Sequence, residues 1–317
     1  MLIFLFTNLN LLTVKIFNVI INQIILMKEG THMKLVAHTE SVAPRLGDEA
    51  AVKMISKSGF DGIDYSMFFM EEDGNELEKD GYKSYVKNLR NIATVNGVTF
   101  EQAHAPFPSM KEGNDAYNKK LDYKLKRALE VTGMLDAKIC VVHPVQFSNC
   151  QKERNIELYK NLEPYARDFG VKIALENMWG WDTDHIVPNV CSVASEFNDY
   201  FDSLESDAFT CCLDLGHCGL VGDNAASMIK EMGNKRLGAL HVHDNDNFHD
   251  SHTLPYLMEM DWDSILKALG EIDYKGHFTY EAGNFFVGFP EDLLPACMRF
   301  AHDVGRSMIR KIEKYRV

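Results

Sequence analysis

Few features of this sequence point to thiol chemistry. Its seven cysteines, Cys140, Cys150, Cys191, Cys211, Cys212, Cys218 and Cys297, are odd in number, scattered, and never arranged as C-x-x-C. That argues against a disulfide framework and against a Cys-ligated zinc site, and leaves reduced, mostly buried thiols of a cytoplasmic protein as the expectation. Positive charge is also scarce, with 33 Lys and Arg against 46 Asp and Glu and a net charge of −13. A chain this acidic is poorly suited to nucleic-acid phosphates or an anionic membrane face. No G-x-G-x-x-G follows the first expected strand, which removes the main support for an open dinucleotide-binding sheet. No stretch rich in Pro, Gly or Ser divides residues 33–317, so a single domain is expected there.

The chain starts with an apolar segment. Residues 1–27 are rich in Ile, Leu, Phe and Asn, long enough to raise the question of a membrane helix or signal sequence. Yet no basic residue precedes the apolar run and no A-x-A-like site follows it. Asn8, Asn10, Lys15, Asn18, Asn22 and Gln23 interrupt it, each at a cost in lipid. The expectation is that residues 1–32 lie outside the folded domain as an over-extended start, with a signal anchor as the alternative. Leaving out Lys15, Lys28 and Glu29 makes the remaining domain one unit more negative.

From Met33 onward, short apolar runs alternate with longer segments of helical period. Strands are expected at 34–38, 62–67, 99–103, 138–142, 172–175, 209–213, 237–240 and 277–280. Helices are expected at 48–58, 82–95, 118–135, 154–169, 192–204, 225–232, 262–269 and 291–315. Eight strand-then-helix units have the size and rhythm of an α/β fold of the (β/α)₈ barrel type.

In such a barrel the reactive groups sit at the carboxyl ends of the strands. Here the third strand runs into His104, the fourth into His143, the fifth into Glu176, the sixth into Asp214 and His217, the seventh into His241 and the eighth into Glu281. Asp250 and His252 follow in the loop after the seventh. A single strand-end histidine is ordinarily structural, but seven such groups and a downstream D-x-H are hard to attribute to chance. Strand ends converge on the barrel axis, so Glu176, Asp214, His241 and Glu281 can surround one ion. Three carboxylates and an imidazole suit Mn²⁺, Co²⁺, Zn²⁺ or Mg²⁺. Alternation along the strand puts His241 and His243 on one face without choosing between them.

The segments A-L-E-N (174–177), L-D-L-G-H (213–217), H-V-H-D-N-D (241–246), D-S-H (250–252) and Y-E-A-G (280–283) resemble the sugar isomerase and epimerase superfamily with the xylose isomerase-like barrel. The resemblance implies metal ligation by Glu176, Asp214, His241 and Glu281, with His217 close to metal and substrate. Its H-x-x-D pattern selects His241 over His243. It also implies a divalent metal cofactor and a small sugar or cyclitol substrate. The implied chemistry is proton transfer next to a carbonyl by Glu176 and Glu281, with an inosose-type dehydration as a variant. The same superfamily contains the type IV AP endonucleases with three zinc ions. Their ligand types are matched by His104, His143, Glu176, Asp214, His217, His241, Asp250, His252 and Glu281, while the acidic charge opposes a nucleic-acid partner.

Trp179 and Trp181 are placed to wall the sugar, or to pack their loop against a second subunit. Tyr65, Phe107, Phe285 and Phe286 are further aromatic candidates for the rim. Basic residues in these loops are few, chiefly Arg45, Lys111 and Lys152, and no phosphate-gripping turn is evident, which favours an unphosphorylated substrate. Related barrels often pair, so a homo-oligomer is compatible, although no apolar stripe in the sequence marks an interface.

Overall fold

The structure is a computed structural model that describes residues 33–71 and 74–316; the expectation for residues 1–32 falls outside them. The described residues form ten strands: Leu35–His38 (β1), Gly62–Ser66 (β2), Thr99–His104 (β3), Ile139–Val142 (β4), Lys172–Glu176 (β5), Trp179–Asp182 (β6), His185–Pro188 (β7), Phe209–Asp214 (β8), Leu237–His241 (β9) and Phe278–Tyr280 (β10). Eight of them pair in parallel in the order β10-β1-β2-β3-β4-β5-β8-β9. The two ends of this sheet meet just past β9, where Val242 N–H donates to Thr279 O at 2.9 Å and Glu281 N–H donates to Val242 O at 3.2 Å. The sheet is therefore a barrel, as the strand–helix rhythm implies.

Helices wrap its outer face, so both faces of most strands are buried and the strands read as continuous apolar runs. Phe209–Asp214 is buried at all six positions. Inside, Val141, Ala174, Cys212 and Ala239 form a tight cluster contributed by four neighbouring strands. The helix Asp115–Met134 starts three residues before the expected 118, because the Asn114 side chain accepts from Tyr117 N–H and caps it there. Sequence patterning misses the antiparallel hairpin β6–β7, which stands beyond the carboxyl end of β5. Among the described residues no helix is long and apolar enough to cross a membrane.

At the opposite, amino-terminal end, one carboxylate ties three strands. Glu101 of β3 pairs with Lys34, before β1, at 2.6 Å and with His277, before β10, at 3.1 Å. Gly62 leaves room for it, since a Cβ there would stand 2.4 Å from Glu101 Cγ. Burial pushes the Glu101 carboxyl up, but hydrogen bonds from His277, Lys34 and Thr99 outweigh this and hold it at about 2 against an ordinary 4.5. A depressed carboxyl contributes stability above its unfolded pKa and loses it as pH falls through the folded one. Glu101→Gln is therefore expected to lower the urea midpoint at neutral pH, with the gap to wild type closing between pH 4.5 and 2. A constant gap across that range would contradict this.

Candidate metal centre

The strands deliver their terminal residues to one place. β5 ends in Glu176, β8 in Asp214 and β9 in His241, while Glu281 directly follows β10; all four are buried. Their ligand atoms lie within 4.8 Å of one another. Glu176 Oε1 stands 2.6 Å from His241 Nδ1, and Glu281 Oε2 stands 3.3 Å from the same nitrogen. His104 and His143 crowd the other oxygen of Glu176, at 3.4 and 2.8 Å. These residues include all four expected from the strand ends, and the two added histidines sit directly beside them.

A second group adjoins the first. His217, His243, Asp250 and His252 also bring potential ligand atoms within 4.8 Å of one another. His243 Nε2 reaches Asp214 Oδ1 at 3.0 Å, and the His243 and His252 rings stack with centroids 3.8 Å apart. Asp250 Oδ2 faces His252 Nε2 at 3.1 Å and His217 Nε2 at 3.6 Å. Asp214 links the groups and is itself held locally. Its Oδ1 caps the short helix Leu215–Leu220 by accepting from His217 N–H, and its backbone pairs with the Asn177 side chain, which accepts from Asp214 N–H at 2.7 Å and donates to Asp214 O at 3.0 Å. Gly216 is required here, because a Cβ would stand 2.1 Å from the His243 ring.

Imidazoles supply the counter-charge. Every ion pair made by Glu176, Asp214, Asp250 and Glu281 among the described residues is with a histidine, so a buried Lys or Arg does not neutralise them. Burial pushes Glu176 up, yet His241, His143 and His104 hold it well below the usual carboxylate range. Burial drives Glu281 up to about 7 against the pull of His241 and His252. Burial lowers His143 to about 4, whereas Asp250 and Glu281 overcome burial at His252 and raise it to about 10. Asp214 Oδ2 and Asp250 Oδ1 are buried without a hydrogen-bond partner. Carboxylates sealed in this way are expensive unless something further coordinates them. The clustered oxygen and imidazole donors fit a divalent cation.

Above the cluster opens a pocket of about 380 Å³, walled by Glu40, Phe68, Phe107, Met178, Trp179 and Asn284, with no Lys or Arg among the described residues that line it. Of the expected aromatics, Trp179 and Phe107 are there. The Trp179 indole N–H donates to Asp250 Oδ2 at 3.1 Å. Trp181 is not: it is 60% exposed and donates to Thr183 O at the tip of the hairpin. Tyr65 is buried with its hydroxyl on Asp48, and Phe285 and Phe286 pack on each other outside the lining. Arg45 donates to Phe289 O and Lys152 pairs with Asp199. Sequence reading did not single out Asp64, Gln102, His38, Glu40 or Asn177. For Asp64 and Gln102 the available signal was a polar side chain inside a buried strand, in G-I-D-Y-S (62–66) and T-F-E-Q-A-H (99–104).

Comparison with known proteins agrees with this architecture. The family model for the xylose isomerase-like TIM barrel matches residues 52–300. A relative named uncharacterized protein y4fM, from Sinorhizobium fredii, is 24% identical over 259 residues, covering 74% of this chain and 81% of that protein. The crystal structure of a D-tagatose 3-epimerase-like protein superposes with a TM-score of 0.69 at 19% identity, covering 88% of this chain and 98% of the other. D-psicose 3-epimerase, crystallised in the presence of D-fructose, gives 0.69 at 18% identity, covering 87% and 99%. The family match runs across most of the closed eight-stranded barrel, and on that ground the chain belongs to the xylose isomerase-like TIM barrel family.

Proposed function

We propose that this protein is a divalent-metal-dependent sugar isomerase or epimerase that moves a proton on a carbon next to a carbonyl. The observation that carries the reading is the convergence of Glu176, Asp214, His241 and Glu281, two of which, Glu176 and Glu281, line the pocket. These four would hold the cation. When bound, it supplies Lewis-acid polarisation of a carbonyl and its neighbouring hydroxyl oxygen. Glu176 and Glu281 both reach the pocket and both carry carboxylate oxygens, so one takes the proton and the other returns it. Action on two faces of one carbon gives epimerisation, and transfer between neighbouring carbons gives isomerisation. Phe68, Phe107 and Trp179 offer apolar surface to the C–H face of a sugar. The absence of Lys and Arg among the described lining residues favours an unphosphorylated sugar or cyclitol. The epimerase names of the similar structures make free ketoses the first compounds to test.

A second reading, zinc-dependent phosphodiester hydrolysis, draws on the added groups His104–His143–Glu176 and His217–His243–Asp250–His252. The acidic charge and the lack of Lys and Arg among the described residues lining the pocket stand against it. Cleavage of abasic-site DNA by the zinc-loaded protein, with no reaction on sugars, would favour it over the isomerase.

Two outcomes follow for the full chain. Metal-free protein supplied with Mn²⁺ or Co²⁺ should melt at higher temperature, by linkage worth about 2.7 kcal/mol at a free ion concentration near 100 times Kd; an unchanged melting curve would contradict a metal centre. In D₂O, the metal-loaded protein should wash deuterium into a ketose or inosose next to its carbonyl, followed by proton NMR. Glu281→Gln should slow that exchange at least about 100-fold while leaving the circular dichroism spectrum intact. An exchange rate close to wild type in the variant would sink the proposed role of Glu281.

A further inference from the structure

Beneath the four proposed ligands lies a polar layer that the proton transfer does not use. Asp64 of β2 and Gln102 of β3 are buried, at 0% and 1% exposure. Gln102 Nε2–H donates to Asp64 Oδ2 at 2.8 Å. Both groups adjoin His241 Nε2, which lies 3.0 Å from Gln102 Nε2 and 3.5 Å from Asp64 Oδ2; the Gln102 amide nitrogen is a donor that already donates to Asp64 Oδ2, so a protonated Nε2 finds its acceptor only in Asp64. Asp64 Oδ1 has no hydrogen-bond partner.

The backbone is bent to produce this meeting. β2 and β3 pair at Ile63–Phe100 and next at Asp64–Gln102, so Glu101 is left over as a bulge. Bulges re-aim side chains and are frequent beside active sites. Here the bulge aligns Asp64 with Gln102 in place of Glu101, which turns instead to Lys34 and His277 at the barrel's amino-terminal end. A buried carboxylate with one oxygen unbonded destabilises a core, and an apolar residue of the same volume would pack there at less cost. Packing alone therefore does not account for Asp64.

The ring of His241 does. Its Nδ1 faces Glu176 and Glu281, and its Nε2 points the opposite way into the Asp64–Gln102 layer. An imidazole that offers Nδ1 to a cation carries its proton on Nε2, and that proton needs an acceptor to fix the ring. Asp64 Oδ2 is the carboxylate oxygen beside it.

We propose that Asp64 is a positioning residue that accepts the Nε2 proton of His241, while Gln102 holds the carboxylate, so that Nδ1 is aimed among Glu176, Asp214 and Glu281 as a metal ligand. The inference rests on the divalent-metal reading of those residues.

The test uses full-length wild type and Asp64→Leu, both stripped with a chelator and titrated with Co²⁺ against a fluorescent indicator. The leucine removes both oxygens at similar volume. The Co²⁺ Kd should weaken about 10- to 100-fold, the visible absorption of the cobalt complex should change, and the metal-free melting temperature should hold or rise. Lower stability with an unchanged Kd would mark Asp64 as structural and overturn the proposal. Should the variant fail to fold, ¹⁵N-histidine NMR of the zinc-loaded wild type decides: a proton on His241 Nε2 supports the proposal, and one on Nδ1 overturns it. A wild type that takes up no Co²⁺ removes the metal reading and this inference with it. One that binds Co²⁺ no more tightly than the variant removes this inference alone.

Discussion

Carboxylates buried at the carboxyl-terminal mouth of a barrel, with imidazoles as their counter-charges, are the constraint around which this structure is arranged. Glu176, Asp214 and Glu281 lie deep enough that each would be costly if left uncompensated. His241 stands between two of them, 2.6 Å from Glu176 and 3.3 Å from Glu281. His104, His143, His217, His243 and His252 extend the same balance outward. Such a set is a poor stability device, because imidazoles are only conditional cations. It is a good ligand set, because neutral imidazole and ionised carboxylate are what divalent metals take up.

The fold makes the arrangement possible by separating stability from chemistry. The Lys34–Glu101–His277 cluster closes the amino-terminal end, and small residues such as Ala174, Cys212 and Ala239 fill the middle. The carboxyl-terminal ends are left free to carry polar groups. Loops then complete the site: Asp250 and His252 come from the segment after β9, and Trp179 from the hairpin after β5. In the proposed reaction the strand ends contribute the ligands and proton carriers, while Phe68, Phe107 and Trp179 shape the space above them.

Much of this was legible in the sequence, for a physical reason. A strand buried on both faces is uniformly apolar, so Glu176, Asp214, His241 and Glu281 stand out as the first polar residues after such runs. The histidines beside them were legible for the same reason. Asp64 and Gln102 were not, because they lie within their strands and only the bulge at Glu101 brings them together. No periodicity announces a bulge. Alternation put His241 and His243 on one face, but it could not show that they enter adjoining groups. For Trp179 and Trp181, two residues apart, the shared position breaks down, since Trp181 lies out along an unpredicted hairpin and is mostly exposed. One helix start was missed where an asparagine cap preceded the periodic stretch, at Asn114, whereas the start after the Asn224 cap was read correctly.

The most direct test of the account is anomalous diffraction from crystals of the full chain grown with Mn²⁺. The account predicts a manganese peak bonded by Glu176, Asp214, Glu281 and the Nδ1 atom of His241. An ordered protein with no anomalous peak among those four residues, under conditions that saturate other manganese enzymes, would contradict it.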